Sequence, residues 1–99
     1  MSTHLPQNLN CQLSDLARKY DADRLVLFGS RARGDHKERS DIDLAVFGLD
    51  YTMASRLRLE LEDLPTLLSF NLVCVDEHTS PALLANIDRE GVTLYTSKP

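Results

Sequence analysis

Two apolar runs separated by a polar loop, within residues 25–47, constrain the fold more than any other feature of the chain. Residues 25–28 read LVLF and residues 42–47 read IDLAVF, and both runs are typical of buried strands. Asp41 and Asp43 stand two positions apart, and alternate residues of a strand point to the same face of a sheet. Their carboxylates would repel each other without a cation between them, and Mg²⁺ takes one or two carboxylates together with substrate phosphates. We therefore predict that Asp41 and Asp43 bind Mg²⁺.

The loop after the first run has the composition of a phosphate-binding turn, GSRARG at residues 29–34. Gly29 allows the backbone to pass close to a ligand, and Ser30 is predicted to cap a short helix. The N–H groups at a helix start attract anions, and the guanidinium groups of Arg31 and Arg33 match phosphate geometry. We therefore predict that these four residues bind nucleotide, and that the neighbouring acid pair holds the Mg²⁺ of a nucleoside triphosphate.

The two motifs together, GSxARG at residues 29–34 and SDIDL at residues 40–44, resemble the signature of the polymerase-beta-type nucleotidyltransferase superfamily. They are most similar to the minimal nucleotidyltransferases, small proteins often encoded beside a HEPN-domain partner, and the similarity extends over residues 13–95. The motif is distinct from a Walker P-loop because it lacks Gly-Lys-Ser/Thr. The resemblance implies an antitoxin that binds Mg²⁺ (one or two ions) and ATP, and moves AMP to a hydroxyl of a HEPN toxin. It also implies a hetero-oligomer.

The position that the resemblance implies for a third carboxylate holds Asn71, in an apolar segment predicted to be a strand over residues 67–75. An amide can offer its oxygen to a metal, but it carries no charge and cannot act as a base at neutral pH. Two functions therefore stay open, a nucleotidyltransferase and a weakened or inactive nucleotide-binding module that neutralises its partner by complex formation. Direct binding to nucleic acid is disfavoured, because the net charge is −4 and a basic stripe is missing.

The length and composition predict one domain over residues 1–99, with residues 1–8 flexible. No apolar run is long enough to cross a membrane, and the first residues lack the pattern of a signal peptide, so we predict a cytoplasmic protein. Cys11 and Cys74 lack the spacing of metal ligands. Apolar strands at the predicted sheet edges would permit a homodimer.

Hydrophobic periodicity predicts alternating helices and strands, and hence an α/β (α+β) protein with helices packed on a small mixed sheet. This is also the fold that the resemblance implies, with the site on the open face of the sheet. The predicted helices cover residues 10–20, a short turn from residue 30, residues 51–64 and residues 81–90, and the predicted strands cover residues 24–28, 41–47, 67–75 and 92–95.

Overall fold

A computed structural model of the chain describes residues 5–34 and 41–97. Helices and strands alternate along these residues, as the hydrophobic pattern predicts. The elements are α1 (Gln7–Lys19), β1 (Arg24–Phe28), α2 (Ser30–Arg33), β2 (Ile42–Phe47), α3 (Tyr51–Glu62), β3 (Phe70–Val75), α4 (Pro81–Glu90) and β4 (Val92–Thr96).

The four strands of the described residues form one mixed sheet in the order β3-β2-β1-β4. β1 pairs antiparallel with both β2 and β4, whereas β2 and β3 are parallel. A parallel pair needs a crossover connection, and α3 provides it between β2 and β3. The sheet and its helices confirm the predicted α+β class.

The two faces of the sheet differ in how they are covered. One face, which we call the α1/α3 face, carries the larger apolar cluster and is covered by α1 and α3. The other, which we call the α4 face, carries a smaller cluster of Val26, Ala45 and Ile87. The buried members of the larger cluster include Leu9, Leu13, Ala17, Leu25, Leu27, Ile42, Leu44, Val46, Leu57, Leu61 and Leu72.

The helix ends differ from the prediction for local steric reasons. α1 begins at Gln7, so residues 7 and 8, predicted as flexible, are helical. Pro6 precedes the helix with a φ of −55°, which suits a helix start, and Leu9 extends the buried face of the helix to an earlier turn. α3 ends at Glu62, two residues before the predicted end, because a residue that precedes proline is disfavoured in helical conformation.

β3 is shorter than the predicted strand over residues 67–75. It begins at Phe70, which pairs with Ile42 at the start of β2. Leu67 is 96% exposed, and the Leu68 N–H donates to the Thr66 hydroxyl at 3.2 Å. This local hydrogen bond competes with backbone hydrogen bonding in the sheet, so the apolar residues that precede Phe70 lie in a turn.

β3 lies at one end of the sheet, and a side chain occupies part of its main-chain hydrogen-bonding capacity. Arg58 of α3 donates to the Leu72 carbonyl oxygen at 3.0 Å. Such contacts reduce the tendency of an edge strand to pair with another chain. The longest helix of the described residues has 13 residues, and none of their helices is both long and apolar enough to span a membrane.

Candidate functional site

Asp43 lies at the centre of a polar area on the α4 face. It occupies β2, where its register partners are Phe28 of β1 and Asn71 of β3. Its sequence neighbours Ile42 and Leu44 are fully buried on the α1/α3 face, so strand alternation turns Asp43 to the opposite side. The half-buried carboxylate therefore stands on a rigid central strand.

Asp41 and Asn71 complete a group that we call the acid–amide cluster, which consists of Asp41, Asp43 and Asn71. The Asn71 Nδ2 atom donates to Asp43 Oδ1 at 3.1 Å and to Asp41 Oδ2 at 3.2 Å. One donor reaches both carboxylates, so the two acids share a face, as their spacing predicts. Asp41 precedes β2, which begins at Ile42 rather than at the predicted residue 41, yet its side chain still joins the cluster.

The donor set of the cluster fits a hard divalent cation. Mg²⁺ is bound through oxygen atoms, commonly one or two carboxylates with substrate phosphates. Asp41 is exposed and Asp43 is half-buried. Within residues 5–34 and 41–97, no group of three or more His, Cys, Asp or Glu side chains could hold a metal. Asn71 pairs in register with Asp43, and a rotation of its amide group by 180° would present the oxygen atom to the carboxylates in place of the nitrogen.

Gly29 brings the loop after β1 directly against the acid–amide cluster. Its φ of +79° and ψ of −156° lie in a region that is essentially restricted to glycine. A Cβ atom at this position would overlap the Asp43 carboxylate and lie 3.1 Å from its Cγ. The glycine is therefore required both for the turn and for the close approach of the backbone to Asp43.

The short helix α2 begins one residue earlier than the predicted cap at Ser30 implies. Gly29 is the N-cap and Ser30 is the first helical residue, because the positive φ of Gly29 makes the sharp turn into the helix. The Ala32 and Arg33 N–H groups both donate to the Gly29 carbonyl oxygen at 3.1 Å. The helix ends at Gly34, whose φ of +87° is left-handed, a usual conformation for glycine at a helix end.

The two arginines of α2 have different surroundings. Arg31 is 5% exposed, so its side chain lies largely in the protein interior, and its contact with a nucleotide stays a prediction. Arg33 is more exposed and donates to Glu90 Oε1 of α4 at 3.0 Å. Sequence reasoning missed Glu90, although an acid in the last turn of a helix opposes the helix dipole and so signals a cationic partner. Ser40 and the loop residues 35–39 lie outside the described residues.

The titration shifts that the structure resolves lie away from this cluster. Glu60 of α3 accepts hydrogen bonds from Tyr20 and from Lys19 of α1, and these bonds lower the pKa of Glu60. Burial is the main cause of the raised pKa of the Cys74 thiol. Within the part of the chain that the structure describes, neither Glu60 nor Cys74 forms a hydrogen bond with the acid–amide cluster.

Comparison with known proteins identifies the family. The profile of the polymerase beta nucleotidyltransferase family matches residues 12–99, nearly the whole chain. The chain belongs to the polymerase beta nucleotidyltransferase family. Comparison with curated protein sequences gives no significant match.

Solved structures show the same fold. A protein provisionally described as a minimal nucleotidyltransferase is 30% identical, with a TM-score of 0.72 over 93% of this chain and 95% of its own. A chain from a toxin–antitoxin complex with AMP-PNP is 24% identical, with a TM-score of 0.72 over 90% and 74%. A chain from a complex of a tri-AMPylated HEPN toxin with an MNT antitoxin, from Shewanella oneidensis, is 24% identical, with a TM-score of 0.67 over 94% and 75%. The predicted relation to the minimal nucleotidyltransferases is confirmed.

Proposed function

We propose that this chain is a minimal nucleotidyltransferase antitoxin that binds Mg²⁺ and ATP, and transfers AMP to a hydroxyl of a HEPN toxin. One observation carries the proposal: the backbone turn at Gly29 lies against Asp43, and Asn71 reaches Asp41 and Asp43 with a single donor. A turn of this kind suits phosphate, and the paired acids suit the cation that accompanies it.

Each part of the site has a defined task in this proposal. Asp41 and Asp43 hold Mg²⁺, which neutralises charge on the phosphates when it is bound. Gly29 lets the phosphates approach the backbone, and Ser30 offers its N–H and hydroxyl as donors at the start of α2. Arg33 contributes positive charge beside them. A nucleotide bound in this way would lie on the α4 face, where the covering apolar cluster is smaller.

Asn71 determines how fast such a transferase works. Its amide can orient a metal or a hydroxyl, but it cannot take a proton from the acceptor at neutral pH. General-base assistance is worth about 10²–10⁴-fold in rate. We therefore expect transfer that is slower, by about that factor, than transfer by the Asn71→Asp variant.

The acceptor is proposed from the relatives. Two of the similar structures are toxin–antitoxin complexes, one with AMP-PNP and one with an AMPylated HEPN toxin. In this proposal the HEPN partner presents the hydroxyl. Complex formation and transfer would then neutralise the same toxin.

The test is an intact-mass measurement on the chain mixed with the HEPN protein encoded beside it, Mg²⁺ and ATP. We expect the partner to gain one or more AMP units with wild-type protein, and none with Asp41→Asn/Asp43→Asn. Asp88→Asn, which removes one negative charge from an exposed position on α4, should transfer as wild type does. An unmodified partner in both the wild-type and the Asn71→Asp reactions would overturn the proposed transfer.

A further inference from the structure

Glu90 has no role in the proposed reaction, and its negative charge at the C-terminal end of α4 is unfavourable for the helix. It is the last residue of α4, where the unpaired carbonyl groups give the helix a partial negative charge. Its carboxylate is 16% exposed and has Arg33 at 3.0 Å, with Arg89 at 3.8 Å. A partly buried acid at this end of a helix requires a cation, and Arg33 supplies it from another element.

The other partner in this ion pair, α2, is too short to hold itself in place. It has four residues, Ser30–Arg33, and isolated helices need more than about ten residues to be stable in water. Its position is therefore set by tertiary contacts. Ala32 packs against the larger apolar cluster and Arg31 is buried, which fixes the inner side of the helix. The Arg33–Glu90 ion pair joins its C-terminal residue to α4, 57 residues away in sequence.

Glu90 is itself held firmly against the sheet. Gly91 follows it with no room for a side chain, since a Cβ atom there would lie 2.6 Å from Val26 Cγ1. The Gly91 N–H donates to the Ile87 carbonyl oxygen at 2.8 Å, and Ile87 is 2% exposed. The end of α4 is thus a fixed point against which the Arg33 side chain can be positioned.

We propose that Glu90 is a positioning residue, which holds Arg33 and through it sets α2 and the Gly29 turn against the acid–amide cluster. This inference rests on the proposed function, because the turn is the proposed phosphate site. In the alternative, Arg33 contacts phosphate directly and Glu90 competes with the phosphate for the Arg33 guanidinium. The two possibilities predict opposite changes in nucleotide affinity. Loss of the Glu90 charge weakens nucleotide binding if Glu90 positions α2, and strengthens binding if it competes.

The first readout needs no nucleotide. Hydrogen exchange of the Ala32, Arg33 and Gly34 amides, all bonded within the turn, is measured in Glu90→Gln and in Asp88→Asn, an exposed charge removal on the same helix. We expect about tenfold faster exchange in Glu90→Gln only, with the Leu27 amide of the core strand unchanged. Equal acceleration at Leu27 would mean a general loss of stability and would overturn the positioning role.

The second readout is the affinity for AMP-PNP with Mg²⁺. Misplacement by about 1 Å can cost a reaction up to a hundredfold in rate. For AMP-PNP we expect binding at least about tenfold weaker in Glu90→Gln and unchanged in Asp88→Asn. Glu90→Asp, which keeps the carboxylate on a shorter side chain, should retain part of the affinity that Glu90→Gln loses. Unchanged or tighter binding in Glu90→Gln contradicts the inference alone, whereas absence of binding in wild type contradicts the proposed function as well.

Discussion

The two faces of this small sheet are built from the same strands but serve different purposes. On the α1/α3 face, the inward positions of β2 are Ile42, Leu44 and Val46, all with 0% exposure. On the α4 face, the alternate positions begin with Asp43 and become apolar only at Ala45 and Phe47. The α1/α3 face thus carries a continuous apolar core. The α4 face is apolar at one end of β2 and polar at the end that holds Asp43.

This difference shows how a domain of 99 residues can carry a charged site on a central strand. A domain of this size has little stability to lose, so most of its apolar burial is concentrated on one face. The opposite face can then keep two carboxylates near each other. Changes on the α4 face should therefore alter nucleotide binding more than stability, whereas changes on the α1/α3 face should alter stability more than binding.

The largest effect is expected for Asp43→Asn on the α4 face. Loss of the carboxylate removes a proposed metal ligand, and a bound metal contributes several kcal/mol to transfer chemistry. Transfer of AMP should therefore fall by about a thousandfold or more, while the free energy of unfolding in EDTA stays the same or rises. Timed intact-mass measurements and urea unfolding test the two parts, and equal transfer by the variant and wild type would contradict the assignment.

Leu44→Ala should have the complementary effect on the α1/α3 face. Truncation of a fully buried leucine costs about 2–5 kcal/mol of unfolding free energy, and the variant should bind AMP-PNP normally as long as it is folded. The control is Val73→Ala, since Val73 lies on the α4 face beside Ala45 and is only half-buried. Urea denaturation would contradict the comparison if the Val73 change were as costly as the Leu44 change.

Gly29→Ala should affect both stability and binding. The new methyl group would overlap the Asp43 carboxylate, and the backbone conformation costs a non-glycine residue about 1–3 kcal/mol. Gly48→Ala is the matched control, because Gly48 has a φ of +87° and its Cβ would meet Asp23, at the other end of the sheet. Thermal unfolding should be lowered in both variants, but calorimetry should show weaker AMP-PNP binding in Gly29→Ala alone.

Asn71→Asp should lower stability in EDTA and restore or increase it in Mg²⁺. A third carboxylate beside Asp43 replaces the hydrogen bonds of the Asn71 amide with repulsion, which costs about 0.2–1 kcal/mol for opposed like charges in a sheet. In Mg²⁺ the added ligand should restore or increase stability. Melting temperatures in EDTA and in Mg²⁺ check this, and an equal shift in both buffers would show that position 71 does not face the metal.

The smallest effect is expected for Glu60→Gln, on the α1/α3 side. Hydrogen bonds from Tyr20 and Lys19 lower the pKa of Glu60, so its contribution is present above the unfolded pKa and is lost as the pH falls through the lower folded value. The same bonds raise the pKa values of Tyr20 and Lys19, so their contribution is lost as the pH rises through the folded values above 10. Urea unfolding of variant and wild type should therefore differ most near neutral pH and converge in acid, with AMP-PNP affinity unchanged.

The sequence predicts the order of the elements and the shared face of Asp41 and Asp43, because both depend on periodicity alone. The family resemblance, and not periodicity, directs attention to Asn71, and the parallel register places this residue beside Asp43. The burial of Arg31 and the Arg33–Glu90 contact could not be predicted, since they depend on how α2 and α4 meet in space. The start of β3 at Phe70 differs from the predicted start at residue 67, because the apolar residues Leu67 and Leu68 lie in a turn. The hydrogen bond from the Leu68 N–H to the Thr66 hydroxyl stabilises this turn.

The central claim is that nucleotide and metal bind on the α4 face at the acid–amide cluster, and paramagnetic broadening by Mn²⁺ with AMP-PNP tests it most directly. We expect the backbone amide signals of Gly29, Asp43 and Asn71 to disappear at low Mn²⁺, while those of Ala17 and Tyr20 in the region of α1 keep their intensity. Broadening that began around α1, or that was uniform along the chain, would contradict the account.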